Sequence, residues 1–259
     1  MPFTLAHPAA VLPLRRFRFL QTVPLVIGSV VPDLPYFMPE RWGRAVFPDT
    51  HTLYGSLQLG IPLGMASLVL LLLLREPLTV LLGPRARWLC LRALDRFYER
   101  PLRWPIALLS VLVGSWTHIV WDSFTHETGW TAARVAALSA PVSLFGWDTA
   151  TSHLLQYVSS VFGLVVLAVW AWMLLKRVPR SVTLDSSRPR ANWLVLCMVA
   201  TSALLIGVSR AFLSWHSGST FYHLGFLLLT RTIGWFAVLY LLAGALTVLS
   251  RRLEPELAS

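Results

Sequence analysis

Acids and histidines are scarce in this chain and fall in short clusters. His7 lies in Thr4-Leu5-Ala6-His7-Pro8, Asp33 in Pro32-Asp33-Leu34-Pro35, and His51 in Asp49-Thr50-His51-Thr52. A fourth run, from Thr117 to Glu127, holds His118, Asp122, His126 and Glu127. This last run is the most specific. His118, Asp122 and His126 are spaced four residues apart, so a continuous helix sets all three on one face, drifting by about 40° per step. An imidazole and a carboxylate at i and i+4 can hold one ion between them, and that pair suits zinc or a similar divalent metal. Each cluster also has a plain alternative. A single His near a helix end is commonly an interfacial polar residue, Asp33 between two prolines can cap a turn, and Asp49 or Thr50 can N-cap the segment that follows. Asp122 resists that reading, because an acid near the end of a very apolar segment is costly.

The elements that must position these residues are apolar. The chain has 259 residues, 56% of them hydrophobic and only 13% charged, with a mean hydropathy of +0.63. Soluble domains carry about 25% charged residues, so this chain has too little polar surface to coat a water-soluble globule. The composition excludes a disordered chain, a secreted disulfide scaffold and an ordinary cytosolic enzyme. About 20 apolar residues cross a hydrocarbon core, and five stretches qualify, roughly 56–74, 105–123, 152–175, 191–213 and 221–250. A sixth, 19–31, is short and contains Pro24. Near-continuous apolarity predicts helices, whereas a barrel shows short alternating segments. The expected architecture is an all-α polytopic transmembrane bundle of five spans plus a short N-terminal membrane-embedded segment. It forms one integral-membrane domain over residues 1–259, in which 166–259 adds transmembrane helices to the segment 1–165.

Charge sets the orientation. The chain carries 22 basic and 12 acidic residues, a net +10, but the basic residues avoid the apolar runs and gather in a few connections. That pattern follows the positive-inside rule and argues against nucleic acid as a partner. Segment 75–103 holds seven arginines, segment 176–190 holds five basic residues, and Arg251-Arg252 closes the last span. These segments and the C-terminus are expected in the cytoplasm, with residues 32–55, 123–152 and 214–220 outside. The basic 75–103 segment can dock on anionic lipid headgroups. Arg15, Arg16 and Arg18 ahead of an apolar run resemble the start of a signal peptide, but no small-residue cleavage site follows, and a retained helix is the better reading. Cys90 and Cys197 form neither a disulfide nor a metal pair.

Remaining polar residues fall outside any standard motif. His126-Glu127-Thr128-Gly129-Trp130 lacks the second histidine of a zincin helix, and no Gly-x-Ser-x-Gly elbow or P-loop is present. Arg210, near the end of its span, and Arg231, deeper in the last one, are candidates for binding an anion; snorkelling to the interface is the plainer role for Arg210. Asp148, His153 and His223 read as caps or interfacial residues, and Trp215-His216-Ser217-Gly218 matches no site.

Together the opening Met1-Pro2-Phe3-Thr4-Leu5-Ala6-His7-Pro8, the Gly28–Asp33 segment, Thr50-His51-Thr52 and the Ser115–His126 helix resemble a bacterial membrane family of unknown function. That family is similar to membrane-bound metal-dependent hydrolases of the inner membrane, and distantly to zinc-dependent phospholipase C. The resemblance covers roughly residues 1–165. It implies His7, Asp33, His51, His118 and Asp122 as metal-site residues, with His126 a further candidate, around one or two divalent ions, zinc foremost. It also implies a hydrolase; in metal-assisted hydrolysis Asp33 or Glu127 could take the proton of water, and an outer-face site with an arginine nearby suits a phospholipid or lipid-linked substrate. The alternative is a non-enzymatic membrane protein, either a metal-binding transporter subunit or a structural partner. A topological conflict remains in this reading. If 19–31 crosses the membrane, His7 is separated from the other ligands; if it folds back among the helices, Arg15–Arg18 is expected at the outer interface, against the charge rule.

Overall fold

The computed structural model describes residues 3–38, 50–100, 102–144, 147–182, 189–215 and 221–257. Among these, five helices are long and apolar enough to cross a membrane: Leu53–Leu73, Arg103–Thr125, Thr151–Arg177, Arg190–Ser214 and His223–Leu253. They are the first to fifth spans below, and they coincide with the five expected stretches to within a few residues at each end. Leu, Val, Phe and Trp side chains stand exposed along their outer faces, among them Phe162, Val165, Leu205 and Leu246, as suits helices solvated by lipid. The fold is that of a multi-pass helical membrane protein. Its strands, among the described residues, are one antiparallel hairpin, Pro141–Leu144 with Trp147–Ala150, leading into the third span; the sequence reading did not anticipate it.

The start of the first span corrects one expectation. Its N-cap is Thr52, whose side-chain oxygen accepts from the Gly55 N–H at 2.8 Å, satisfying one of the unpaired first-turn donors. Thr50 instead donates to the Pro32 carbonyl at 2.8 Å, and Asp49 lies outside the described residues. One turn on, Ser56–Gly60 widens into π-helix, a rare geometry often found beside functional sites.

The chain divides into two compact units. In the unit formed by Met1–Leu34, Arg44–Val69 and Arg96–Arg177, the N-terminal segment is broken into short pieces. Thr4–Ala6, Leu12–Arg16 and Val31–Asp33 are 3-10 turns, and Pro8–Val11 and Thr22–Gly28 are short α-helices. Pro8, Pro13, Pro24 and Pro32 account for the breaks, because each lacks the N–H that continues a helix. The seven-residue Thr22–Gly28 helix rises about 10 Å against a core of about 30 Å, so it does not span.

Its contacts trace a hairpin folded into the bundle. The Phe3 N–H donates to Ser160 Oγ at 2.9 Å, and the Arg15 guanidinium lies 5.7 Å from the Trp170 ring centre, further along the third span. Arg100 then donates to the Arg18 carbonyl at 2.8 Å. From there the chain climbs the second span, with the Gln21 N–H donating to Ser110 Oγ at 2.9 Å. This geometry removes the topological conflict. Arg15–Arg18 lies beside Arg100, at the basic end of the second and third spans where Arg103 and Lys176-Arg177 sit, and not at the opposite end. The hairpin returns the chain to His7 and Asp33 without breaking the charge rule.

The other unit comprises Pro35–Gly43, Leu70–Asp95 and Val178–Ser259. Here the fourth and fifth spans lie so close that a Cβ on Gly207 would meet the Thr232 backbone. Asn192 Nδ2 donates to the Val80 carbonyl at 3.1 Å, and Tyr240 donates to the Leu78 carbonyl at 2.9 Å. The amphipathic Pro84–Tyr98 helix carries Arg85, Arg87, Arg92 and Arg96; Arg87 pairs with Glu76 at 2.6 Å.

Candidate metal centre

The site grows from one buried face of the second span. Ser110, Gly114, His118 and Asp122 follow one another at four-residue spacing, and all are buried. Gly114 and Gly28 let two backbones meet: a Cβ on Gly114 would strike the Leu25 carbonyl, and one on Gly28 would strike the Val111 carbonyl. This close crossing brings the Ser29 carbonyl within 2.8 Å of His118 Nδ1. A carbonyl only accepts, so Nδ1 carries the proton and Nε2 is left with its lone pair, the arrangement found in metal-ligating histidines.

Four groups converge. One ligand atom from each of Asp33, His51, His118 and Asp122 lies within 4.8 Å of all the others. His51 Nε2 is 3.0 Å from Asp33 Oδ1 and 3.8 Å from Asp122 Oδ2; His118 Nε2 is 3.6 Å and 3.3 Å from the same two oxygens. Ligands about 2.0–2.1 Å from a tetrahedral ion stand about 3.3 Å apart, so these separations suit a common centre. Two more contacts aim the ligands. Thr4 Oγ1 donates to Asp33 Oδ2 at 2.6 Å, leaving Oδ1 toward the imidazoles. His51 Nδ1 lies 3.3 Å from the Thr50 hydroxyl, whose proton goes to Pro32, so Nδ1 donates and Nε2 is the ligand atom.

His118 Nε2 is buried and makes no hydrogen bond, a costly state unless something else occupies the lone pair. Asp33 is 1% exposed. Its Oδ1 faces the Nε2 atoms of His51 and His118 at 3.0 Å and 3.6 Å. Two carboxylates and two oriented imidazoles form a donor set that fits a divalent ion.

His7 joins from the hairpin. Its ring stacks on His118 at 3.8 Å between centres, its edge meets Trp121 at 5.7 Å, and its Nε2 is 3.5 Å from Asp122 Oδ1. The ring is 1% exposed. Neither His7 nitrogen nor Asp122 Oδ1 makes a hydrogen bond. His126 departs from the continuous-helix expectation: the helix ends at Thr125, and His126 is its extended C-cap with φ −108° and ψ 137°. Its Nδ1 still lies 3.8 Å from Asp122 Oδ2.

The remaining candidates are not among the converging groups. Glu127 is exposed in the turn after the helix. Arg210 and Arg231 belong to the other unit; Arg210 is exposed near the end of its span, and Arg231 donates to the Met38 carbonyl at 3.4 Å. Sequence reasoning missed the orienting groups Thr4, Ser29 and Thr50. Thr4 and Thr50 stood inside quoted clusters and offered a signal, whereas Ser29 acts through its carbonyl and offered none.

Fold and site together define a polytopic helical membrane protein with a buried His/Asp cluster inside its transmembrane bundle. The chain belongs to the family described as domain of unknown function DUF4184, which matches residues 1–247. The match extends past the expected 1–165 through the fourth span and most of the fifth, and it carries no hydrolase or phospholipase C likeness. No curated protein and no solved structure matches the chain.

Proposed function

We propose that this protein is a membrane-bound metal-dependent hydrolase acting on a lipid or lipid-linked ester at the membrane face opposite the basic segments. The observation that carries the reading is the convergence of Asp33, His51, His118 and Asp122 within 4.8 Å, with three of them fixed by partners on their far side. These residues would hold a divalent ion, zinc by its ligand chemistry, which would supply a Lewis acid and make water a better nucleophile near neutral pH.

The chain's own residues do the rest. Asp33 Oδ1, Asp122 Oδ2 and the Nε2 atoms of His51 and His118 would hold the ion. His118 lies seven residues before Thr125, about 10 Å from the end of its span, so the site sits in the outer part of the hydrocarbon layer, where water is scarce. The His51 and His126 side chains are 31% and 29% exposed; they form the accessible edge at which substrate and water arrive. In this reading His126 takes the proton of the attacking water, in place of the expected Asp33 or Glu127: Asp33 is committed to Thr4 and the ligand cluster, and Glu127 is exposed in the turn after the helix. In the reaction the ester bond breaks, the hydroxyl of water goes to the acyl or phosphoryl group, and the proton ends on the departing alcohol.

A second reading is a structural ion that staples the bundle, because four protein ligands can close a tetrahedral site. The accessible edge at His51 and His126 and the unspent His7 nitrogens and Asp122 Oδ1 favour catalysis: the cluster holds more donor atoms than one closed site uses. The distribution of arginine supports a bacterial inner-membrane location with a cytoplasmic C-terminus. The test incubates metal-replete and chelator-stripped protein with a panel of fluorogenic phospholipid esters and phosphoesters. Cleavage restored by zinc and lost in His118→Ala is expected. Equal turnover by stripped and replete protein, or none with metal bound, would overturn the hydrolase reading.

A further inference from the structure

A groove of about 570 Å3 runs between the second and third spans, in the unit that carries the metal centre. Its walls include Val113, Trp116, Val120, Phe124 and Leu155, with the small Ala10 of the hairpin between them. We infer that this groove is an acyl-chain site, holding one tail of a diacyl phospholipid whose ester linkage lies at the His126 edge of the cluster. The inference deepens the hydrolase reading and rests on it for the fate of that linkage.

Four observations identify the occupant. The hydroxyls along the groove have spent their protons inside the protein: Thr117 donates to the Gly114 carbonyl at 2.7 Å, Thr125 to the Trp121 carbonyl at 3.2 Å, and Ser159 to the Gln156 carbonyl at 3.3 Å. Ser159 also accepts from the Trp121 indole at 3.2 Å. A solute that must accept hydrogen bonds therefore finds no hydroxyl donor there, and hydrocarbon is the matching chemistry for walls that are almost wholly apolar. Bulky walls argue against another helix, since helices pack in membranes through small residues. Trp116, Val120 and Phe124 are exposed toward the lipid, so a chain enters sideways from the bilayer. The groove's length also fits. From Val113 to Thr125 the second span rises about 18 Å, close to the roughly 15 Å of one leaflet's hydrocarbon.

The groove also leads to the chemistry. Its Thr125 end is the end of the second span that bears Asp122 and His126. Trp121 is a shared wall: it lines the groove and meets the His7 ring at 5.7 Å and 67°. A tail lying in the groove thus brings its ester linkage to the accessible edge of the cluster.

The experiment reconstitutes the full chain in nanodiscs with phosphatidylethanolamine carrying a diazirine in one acyl chain, photolyses it, and maps the labelled peptides. Expected is labelling concentrated in residues 113–125 and 155–159. Filling the groove with Val120→Trp, or independently with Ala10→Phe, should cut that labelling about tenfold, as displacement of two buried methylenes would, with metal content and helicity kept. Labelling spread evenly over the exposed faces of all five spans in the wild type would overturn the site. Competition by unlabelled polyprenyl phosphate but not by unlabelled phosphatidylethanolamine would overturn the diacyl assignment. Groove labelling in a protein that binds no metal would keep the tail site and sink the hydrolase reading.

Discussion

Thr4 holds one oxygen of Asp33 at 2.6 Å and so turns the other toward His51 and His118. Removing that hydroxyl with Thr4→Val leaves all four ligands in place but frees the carboxylate to rotate. Partners of this kind are worth about 10- to 100-fold in metal affinity, and chelator competition should show a loss in that range. Affinity equal to wild type would mean that Asp33 does not ligate through Oδ1. A second prediction concerns protons. Ligating histidines must be neutral, so metal binding competes with their protonation. Bound metal should therefore fall on acidification through the histidine range, about pH 6.5 and below, and return on neutralisation. Retention of metal at pH 4 would contradict a histidine-based site.

At the scale of elements, the Gly28–Gly114 crossing decides whether the site forms. A Cβ on Gly114 would strike the Leu25 carbonyl, and the hairpin would have to move away from His118. Overpacking of this kind costs about 1–3 kcal/mol, so Gly114→Ala should lower the melting temperature and weaken metal binding together. Gly225, with nothing near its Cβ position, is the control. There an alanine should be neutral or stabilising by roughly 0.5–1 kcal/mol, with metal unchanged; equal effects at both glycines would contradict the crossing.

The five spans were legible because a crossing helix needs only a long apolar run, a property of one segment. So were His118 and Asp122, a pair set by helical spacing alone. The N-terminal hairpin was not: its prolines announce breaks but not where the chain goes next, and that depends on Ser110, Ser160 and Arg100 in other elements. The contribution of Ser29 was invisible for the same reason, and the placement of His126 turned on where the helix ended.

Cys90 belongs to the basic segment and Glu127 to the turn beyond the second span, so one crossing separates them. In spheroplasts, a membrane-impermeant maleimide should label a Glu127→Cys, Cys90→Ser variant without permeabilisation. It should reach Cys90 of the wild type only after permeabilisation, and the reverse pattern would invert the proposed topology. The most direct test of the metal centre is elemental mass spectrometry of the detergent-purified wild type beside His118→Ala and Asp122→Ala, with helicity checked in each. The account predicts a stoichiometric divalent ion in the wild type and its loss in both variants. A fully helical wild type that binds no metal under metal-replete conditions would contradict it.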